Sequence, residues 1–437
     1  MLILHLSDIH FKKTVAGGAM DIDHHLRNML VRDVREQCQT IGATPDAVLV
    51  TGDIAYGGAP EEYAFAQEWL EQVCAECGCE TNAIIVIPGN HDVDRAVTRK
   101  SLVQALHSDI KATANSELLP GKLTQMLEEE DSAKFLYSSI ANFNDFAAQY
   151  FCALIPPDRT KVERRFQLND GSILCITGLN SAFVSSHADA EGELYVDPSV
   201  LRLTHEDGVT HLVMCHHPYN WLANGREVQD HLDVVAQVQL FGHEHTNRVE
   251  LGRDYVRIAA SAAHPDRQES GWEPGYNLLE LTVDGQGAHR KLNVKAHVRI
   301  WQNRPGQFIA KMDRQANHFA QSIDLEHWAP PVDTSFDEGH PPDPAAQSDP
   351  AIAGIEKDTA MTSLRKLSIR FFALTFSQKL GIAGRLNLFE EGDQKFPDHE
   401  RFRRVLLRAR ERNQLAELEA ALDETDRTAL LVTRKED

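Results

Sequence analysis

Five short polar motifs, each directly after a short apolar run, constrain the fold of this chain more than any other feature. The runs are almost continuously apolar and rich in β-branched residues, as expected for strands buried on both faces. Seven occur in the first 260 residues, at 2–6, 47–51, 83–87, 173–177, 211–215, 238–241 and 255–259. Helix-like stretches at 26–39 and 61–74 separate the first three, which gives the order β-α-β-α-β. This order predicts a mixed α/β core.

The five motifs combine carboxylate, imidazole and amide side chains with glycine. They are Asp8-Ile9-His10, Gly52-Asp53, Gly89-Asn90-His91-Asp92, His216-His217 and Gly242-His243-Glu244-His245. In open α/β sheets the carboxyl ends of the strands line the ligand crevice. We therefore expect these motifs, although distant in sequence, to converge on one site.

The side-chain types at these positions indicate a metal site. Imidazole and carboxylate groups suit Mn, Fe, Zn or Ni, whereas the lack of thiolate argues against a soft-metal site. Seven potential ligands exceed what one tetrahedral ion needs and suit two ions with open positions. Two ions about 3.5–4 Å apart can hold a phosphoryl oxygen and activate water, and Asp53 is well placed to bridge them.

The complete, ordered set resembles the calcineurin-like metallophosphoesterase superfamily, over residues 1–305. The resemblance implies a four-layer α/β/β/α sandwich with a dinuclear metal centre. It implies that Asp53 bridges two divalent ions, each of which has three further ligands. These are Asp8, His10 and His245 for one ion, and Asn90, His216 and His243 for the other. His216 is preferred to His217 because it comes first after the strand.

The same resemblance assigns catalytic roles to the third motif. His91 would protonate the leaving group or steady the transferring phosphate, and Asp92 would orient His91. Arg95 lies four residues after His91 and could contact a substrate phosphate. The alternative for Arg95 is a surface ion pair with Asp92 or Asp94.

The segment after Asp53 bears on the substrate. Phosphoprotein phosphatases of the superfamily carry Gly-Asp-x-x-Asp-Arg-Gly, whereas residues 52–58 here have no arginine. The pattern is therefore closer to the phosphodiesterase and nuclease branches, which hydrolyse phosphodiesters by attack of a metal-activated hydroxide. The formal charge, 44 − 65 = −21, argues against broad binding to duplex nucleic acid and favours a nucleotide or single-stranded substrate. The alternatives are a phosphomonoesterase or protein phosphatase, and a metal-bound scaffold that recruits partners.

Composition divides the chain into four parts. Residues 1–305 form the catalytic domain, with a helical insert at about 97–165 and an alternating, half-buried strand near 292–300. Residues 306–328 connect it to a Pro/Asp-rich linker at 329–352. Residues 353–437 show helical periodicity and predict a small all-α domain. This domain vaguely resembles helical adaptor domains, which implies interaction with a partner protein.

Cysteine usage and the apolar runs indicate the compartment. The seven cysteines, the absence of a signal peptide and the absence of a membrane-length apolar run predict a cytoplasmic protein with reduced thiols.

Among the metals that the predicted dinuclear centre could bind, manganese is favoured. Cys74-x-x-Cys77-x-Cys79 could be half of a metal site, but we favour thiols at a helix end.

Two polar groups outside the motifs leave alternatives open. One is the cluster Asp21, Asp23, His24 and His25, which is expected to cap the following helix, with Asp23 at its N-cap, or else to line the substrate groove. Four arginines of the C-terminal domain share one helical side. They predict either a solvated face balanced by acids or a docking surface; they are Arg401, Arg404, Arg408 and Arg412.

Overall fold

The computed structural model describes residues 1–13, 21, 23–113, 118–186, 188–203, 205–264, 272–330 and 358–433. The chain divides into two compact units. The first comprises Met1–Phe146 with Leu154–Ala329, and the second Ala147–Ala153 with Pro330–Asp437. Most of the predicted linker, residues 331–352, lies outside the described residues. No described helix combines the length and the apolar character needed to cross a bilayer.

The first sheet of the N-terminal unit has seven strands. Three are parallel: β1 (Leu2–Leu6), β2 (Ala47–Val50) and β3 (Ile84–Val86). The other four pair antiparallel: β10 (Gly275–Asp284), β11 (Lys291–Asn303), β12 (Gly306–Ala310) and β13 (Phe319–Asp324). The strand order is β12-β11-β10-β1-β2-β3, and β13 also pairs with β11. In the middle of this sheet Leu4 is fully buried, between Val48 and Leu278.

The second sheet has six strands in the order β4-β5-β6-β7-β9-β8. They are β4 (Lys161–Gln167), β5 (Ile173–Leu179), β6 (Val209–Cys215), β7 (Val238–Phe241), β8 (Arg248–Leu251) and β9 (Val256–Ala259). β5, β6, β7 and β9 are mutually parallel. The two sheets approach closely where a Cβ at Gly178 would lie 2.5 Å from Ile87. All five polar motifs follow parallel strands of these two sheets.

Helices cover the sheets and form the insert. They are α1 (His24–Ile41), α2 (Pro60–Cys77), α3 (Arg95–Thr98), α4 (Ser101–Ala112), α5 (Leu119–Glu128), α6 (Glu130–Leu136), α7 (Ala141–Ala147) and α8 (Gly225–Val235). On α1, residues Leu30, Val34 and Cys38 are buried at helical spacing. The predicted mixed α/β core, with an all-α C-terminal region, is confirmed.

Two boundary predictions in the N-terminal unit are wrong. Residues 161–165, predicted as the end of the helical insert, belong to β4. The predicted connector at 306–328 contains β12 and β13, both paired with β11. These strands carry little apolar signal because they are exposed over much of their length, and backbone pairing rather than burial defines them.

The C-terminal region contains α9 (Asp358–Phe372), α10 (Phe376–Arg385), α11 (Asp398–Glu411) and α12 (Leu415–Thr433). Its core includes Phe371, Ile382, Phe402, Leu406 and Leu418, each at most 2% exposed. Burial of such side chains stabilises the unit by roughly 1.5–3 kcal/mol each.

The arginine stripe on α11 is paired within its own unit. Arg408 donates to both carboxylate oxygens of Asp393, at 2.6 Å each, and Arg412 donates to Glu390 at 2.8 Å. Arg404 donates to Glu400 at 3.0 Å. The balanced-face interpretation therefore describes these contacts better than a free docking surface.

Candidate metal centre

Five of the predicted ligands have left-handed backbone conformations. They are Asp8, His10, Asp53, His243 and His245, with φ between 53° and 70°. Non-glycine residues rarely adopt this region, and Asp, Asn and His are enriched among those that do. The chain therefore turns sharply at the end of each strand. These turns point side chains from β1, β2 and β7 toward one another.

One group of candidate ligands lies at the ends of β1, β2 and β7. It consists of Asp8, His10, Asp53 and His245, whose ligand atoms all lie within 4.8 Å of one another. His245 Nε2 is 3.2 Å from Asp8 Oδ1, and His10 Nε2 is 3.2 Å from Asp53 Oδ2. Asp8 and Asp53 are at most 1% exposed, so these carboxylates have little access to water.

A second group surrounds the side-chain oxygen of Asn90. His216 Nε2, His217 Nε2 and His243 Nδ1 lie 3.0, 3.2 and 3.0 Å from Asn90 Oδ1. An amide oxygen has two lone pairs and cannot accept three such hydrogen bonds. Imidazole nitrogens crowded around one oxygen are the arrangement expected of ligands that share a cation, so this donor set fits a divalent metal.

Asp53 joins the two groups. Its Oδ2 atom faces His10, while its Oδ1 atom is 3.4 Å from His216 Nε2 and accepts the backbone N–H of His91 at 2.8 Å. A Cβ at Gly89 would collide with the Asp53 side chain, so only glycine permits this close approach. The carboxylate thus presents one oxygen to each set of imidazoles.

Hydrogen bonds fix the orientation of two adjacent imidazoles. His216 Nδ1–H donates to the carbonyl oxygen of Thr51 at 2.7 Å, which leaves Nε2 to face Asp53 and Asn90. His217 Nδ1 is 2.8 Å from Ser181 Oγ. Such partners set the tautomer and direct the other ring nitrogen toward a metal. Both histidines are fully buried, and only His216 also contacts Asp53.

Burial and neighbouring charges shift the pKa values of the histidines in this site in different directions. Burial, with the positive charge of His216, lowers the pKa of His243 to about 3 and also holds the pKa of His217 well below its ordinary value. Burial alone would lower the pKa of His216, but the negative charge and hydrogen bond of Asp53 raise it to about 9. His217 and His243 are therefore neutral near pH 7, which is the form that binds metals, whereas His216 would release a proton on binding a cation.

The third motif lies beside the two groups. His91 Nδ1–H donates to the Tyr56 carbonyl at 2.8 Å, so its Nε2 is available to another partner. Asp92 is fully buried and accepts the backbone N–H groups of Gly89 at 2.9 Å and Ala55 at 3.0 Å. Burial, followed by the charge of Asp53, raises the pKa of Asp92 to about 6. Asp92 thus holds the turn that carries His91 and does not contact the imidazole by a described hydrogen bond.

Arg95 contacts groups of the site. Its Nη2 atom is 3.4 Å from His91 Nδ1, and its guanidinium lies 5.8 Å from the centre of the Tyr56 ring. The predicted alternative, a pair with Asp92 or Asp94, does not occur among the described ion pairs. Asp94 instead accepts the backbone N–H groups of Ala96 and Val97 at the start of α3.

Sequence reasoning missed three side chains beside the centre. The Lys12 ammonium lies 4.4 Å from the centre of the Tyr56 ring, which stands 5.1 Å from the His91 ring. The Trp221 ring is 4.1 Å from that of His243. Lys12 follows His10 by two residues, and Trp221 follows His216 by five. Such proximity in sequence does not distinguish residues that line the site from residues exposed to solvent.

Asp23 occupies the position before α1 but makes no side-chain capping bond. The expected cap is therefore wrong. Its Oδ2 atom lies 3.2 Å from His264 Nε2, so the carboxylate pairs with an imidazole instead of with the helix. The backbone N–H of His264 donates to the Asp8 carbonyl at 3.2 Å, which places this pair next to the centre.

Two sheets bring carboxylates and imidazoles together at their strand ends, which places this chain among α/β proteins with a candidate metal-binding cluster. A family described as calcineurin-like phosphoesterase matches residues 1–247, more than half of the chain. The chain belongs to this family. A second family, described as the GTPase-associated adaptor domain, matches residues 363–424.

Curated relatives match a short part of the chain. A cAMP/cGMP dual specificity phosphodiesterase of Mycobacterium tuberculosis is 36% identical over 107 residues, which are 23% of this chain and 30% of that protein. A glycerophosphodiester phosphodiesterase of Enterobacter lignolyticus is 38% identical over 92 residues, 21% of this chain and 30% of that protein. The chain thus matches about a third of the length of these relatives.

The solved structures that resemble this chain have lower sequence identity to it than the curated relatives do. Vps29 of Chaetomium thermophilum is 10% identical, covers 75% of this chain and 98% of its own, and gives a TM-score of 0.29. GAP50 of Plasmodium is 9% identical, covers 75% of this chain and 90% of its own, and gives a TM-score of 0.38.

Proposed function

We propose that the N-terminal unit hydrolyses phosphodiesters with the help of two divalent cations. The observation that carries this proposal is the Asp53 carboxylate, which directs one oxygen to His10 and the other to His216. A carboxylate placed between two sets of imidazoles is suited to share two cations. The two groups of candidate ligands around it support the same assignment.

In this proposal each cation has its own protein ligands in addition to Asp53. Asp8, His10 and His245 hold one, and Asn90, His216 and His243 hold the other. The contact of His216 with Asp53 supports His216 over His217, which is the alternative ligand. When bound, the cations would supply Lewis-acid activation of the phosphate and of the attacking water. Manganese, rather than iron, zinc or nickel, stays a prediction, as does a cytoplasmic location.

His91 is proposed as the proton donor to the leaving group. Its Nδ1–H is held by the Tyr56 carbonyl, and its Nε2 is the atom that would exchange a proton with the substrate. Asp92 supports it by fixing the turn. Arg95 and Lys12 bring two positive charges to Tyr56, in a chain of net charge −21, and would attract the phosphate.

Two observations favour diesters over monoesters. Residues 52–58 have no arginine of the kind that phosphoprotein phosphatases carry. The similar curated proteins are named as phosphodiesterases, with cyclic nucleotides or glycerophosphodiesters in their names. We propose a nucleotide or single-stranded nucleic acid as the substrate class.

Residues 353–437 are proposed to recruit a partner protein. The match of residues 363–424 to an adaptor family supports this role. The small, separately packed helical core contains none of the candidate ligands. Recruitment would bring the hydrolase to its site of action and leave the chemistry to the N-terminal unit.

The test of the main proposal is a comparison of two model substrates with the full-length, Mn²⁺-loaded protein. Bis(p-nitrophenyl) phosphate is a diester, and p-nitrophenyl phosphate is the matching monoester. A higher kcat/KM for the diester is expected. A preference for the monoester would replace the proposal with a phosphomonoesterase, and two bound cations without turnover of either ester would favour a scaffold.

Substitution of His91 tests the proton-donor role. In His91→Gln, hydrolysis of a diester with an alcohol leaving group should fall by about 10²–10⁴-fold, because an alkoxide needs a proton to leave. Hydrolysis of the p-nitrophenyl diester should fall by only about tenfold, because p-nitrophenolate leaves without one. The measurement is kcat for both diesters, with metal content determined on the same samples.

His205→Gln is the matched control for this substitution. The His205 side chain is 57% exposed and its Nδ1 atom lies 3.6 Å from Glu326. The control variant should leave both rates unchanged. Equal losses for the two leaving groups in His91→Gln would contradict a proton transfer and would indicate that His91 only steadies the phosphate.

A further inference from the structure

Two aromatic side chains lie beside different parts of the candidate metal centre. The Tyr56 ring is 5.1 Å from the ring of His91 and 6.2 Å from that of His10, which belongs to the first group of candidate ligands. The Trp221 ring is 4.1 Å from the ring of His243, which belongs to the second group. Because one carboxylate joins the two groups, a phosphate held between them would have one aromatic ring near each group.

The surroundings of Tyr56 carry positive charge. The Lys12 ammonium lies 4.4 Å from the centre of the Tyr56 ring, and the Arg95 guanidinium lies 5.8 Å from it. The backbone supports this arrangement, because the N–H of Tyr56 donates to the carbonyl of Phe11, the residue before Lys12, at 3.0 Å. Tyr56 is 36% exposed, so a ligand can approach it from solvent. An ammonium and a guanidinium around one ring are suited to bind a phosphate group.

Trp221 presents its indole from a backbone that hydrogen bonds hold in place. It ends a short helical turn, Tyr219–Trp221, that follows the His216-His217 motif. Its N–H donates to the Pro218 carbonyl at 3.0 Å, and its carbonyl accepts the N–H of Leu194 at 3.1 Å. The side chain is half-buried and therefore keeps part of its surface accessible. Such an indole is suited to stack on a nucleobase, since every base has a π-face.

We propose that Trp221 stacks on a base and that Lys12 and Arg95 bind the phosphate next to the scissile one, so that the substrate is a linear single strand of nucleic acid. This inference rests on the proposed phosphodiester hydrolysis and narrows its substrate. Tyr56 and its two cations adjoin His91, the proposed proton donor to the leaving group. The second phosphate therefore belongs to the leaving side of the strand, and the stacked base belongs to the other side.

The combination of the two subsites distinguishes a strand from smaller diesters. Cyclic nucleotides and glycerophosphodiesters appear in the names of the similar curated proteins. A cyclic nucleotide has a single phosphate, whose two ester oxygens belong to the same ribose, and a simple glycerophosphodiester has no base. A strand has a base on one side of the scissile phosphate and a further phosphate on the other. The two cations would also offset the repulsion between a polyanion and a chain of net charge −21.

The test compares three diesters with the full-length, Mn²⁺-loaded protein. They are single-stranded tetrathymidylate, cyclic thymidine monophosphate and glycerophosphoethanolamine. Each has an alcohol leaving group, so all three need a proton to complete the reaction. The kcat/KM for tetrathymidylate should exceed both other values by at least about tenfold. An equal or higher value for either small diester would overturn the inference.

Bis(p-nitrophenyl) phosphate, measured on the same samples, separates this inference from the proposed function. Its hydrolysis without a preference for tetrathymidylate would overturn the strand and leave the hydrolysis of phosphodiesters standing. Lack of turnover of all four diesters would overturn both.

Substitution of Trp221 tests the stacked base. In Trp221→Leu, the KM for tetrathymidylate should rise by about 5- to 150-fold, the range expected for the loss of one stacked base. The KM for glycerophosphoethanolamine should change much less, and Trp221→Phe should restore most of the affinity for the strand because it keeps an aromatic ring. If Trp221 only positions His243, kcat would fall equally for both substrates, and this result would overturn the stacking role.

Substitution of Lys12 tests the second phosphate. In Lys12→Gln, the slope of log KM for tetrathymidylate against log salt concentration should decrease by about 0.7, the value expected for one phosphate contact with a single strand. Lys291→Gln is the matched control. Lys291 pairs with Asp284 on the side of the sheet where β1 begins, whereas the candidate ligands follow the end of β1. An unchanged slope in Lys12→Gln, or an equal decrease in Lys291→Gln, would overturn the phosphate contact.

Discussion

The Asp53→Asn variant is expected to hydrolyse bis(p-nitrophenyl) phosphate with a kcat at least about 10³-fold below that of the parent. The substitution keeps the size of the side chain and its ability to accept hydrogen bonds, but it removes the negative charge that faces both imidazole groups. Asparagine also tolerates the left-handed backbone at this position, where φ is 53°. Loss of activity would therefore report loss of the charge and not collapse of the turn.

Two measurements accompany the rate. Metal content should fall, because one carboxylate is proposed to serve both cations, and the unfolding temperature of the metal-free protein should change little. Glu244→Gln is the matched control, because Glu244 stands between His243 and His245 but is paired with Arg248 at 3.6 Å. A kcat for Asp53→Asn within about tenfold of the parent would refute the bridging role.

The Asp33→Ala variant is expected to lower the free energy of unfolding of the N-terminal unit by about 3–5 kcal/mol. Arg299 donates to both carboxylate oxygens of Asp33, at 2.8 and 2.7 Å, and the Tyr276 hydroxyl donates at 2.6 Å. Asp33 and Arg299 are each 11% exposed. Without the carboxylate, the guanidinium and the hydroxyl would stay buried and lack their partner.

The control for this prediction lies on the same helix. Glu36 accepts from Arg32 at 2.8 Å, but these two side chains are 48% and 63% exposed. Water competes for such a pair, so Glu36→Ala should change stability by less than about 1 kcal/mol. Denaturant unfolding of both variants is the measurement. Equal losses would mean that the Asp33 cluster contributes no more than a surface pair.

The sequence was sufficient to predict the strands on which the centre is built. Strands buried on both faces are recognisable as continuous apolar runs, and β1, β2 and β7 lie where these runs are. The motifs follow the strands directly, so a parallel arrangement brings them together without further information. The assignment of each ligand to a cation stays a prediction.

Other features could not be predicted from one sequence. Asp33 contacts Tyr276 and Arg299, which lie 243 and 266 positions further along the chain. No local sequence pattern indicates these contacts. β12 and β13 are exposed edge elements whose pairing depends on backbone hydrogen bonds. The approach of His217 to Asn90 depends on which way two adjacent imidazoles turn, which is fixed by Thr51 and Ser181.

The left-handed conformation of five candidate ligands has a consequence for directed evolution. The left-handed backbone conformation at each of these residues costs up to about 1–2 kcal/mol of free energy for residues other than glycine. Glycine at Asp8, His10, Asp53, His243 or His245 would relax the turn and delete a candidate ligand in one step. Selection of a library for heat resistance alone would therefore enrich clones that lack candidate ligands, and only a paired selection for the proposed turnover would retain the centre.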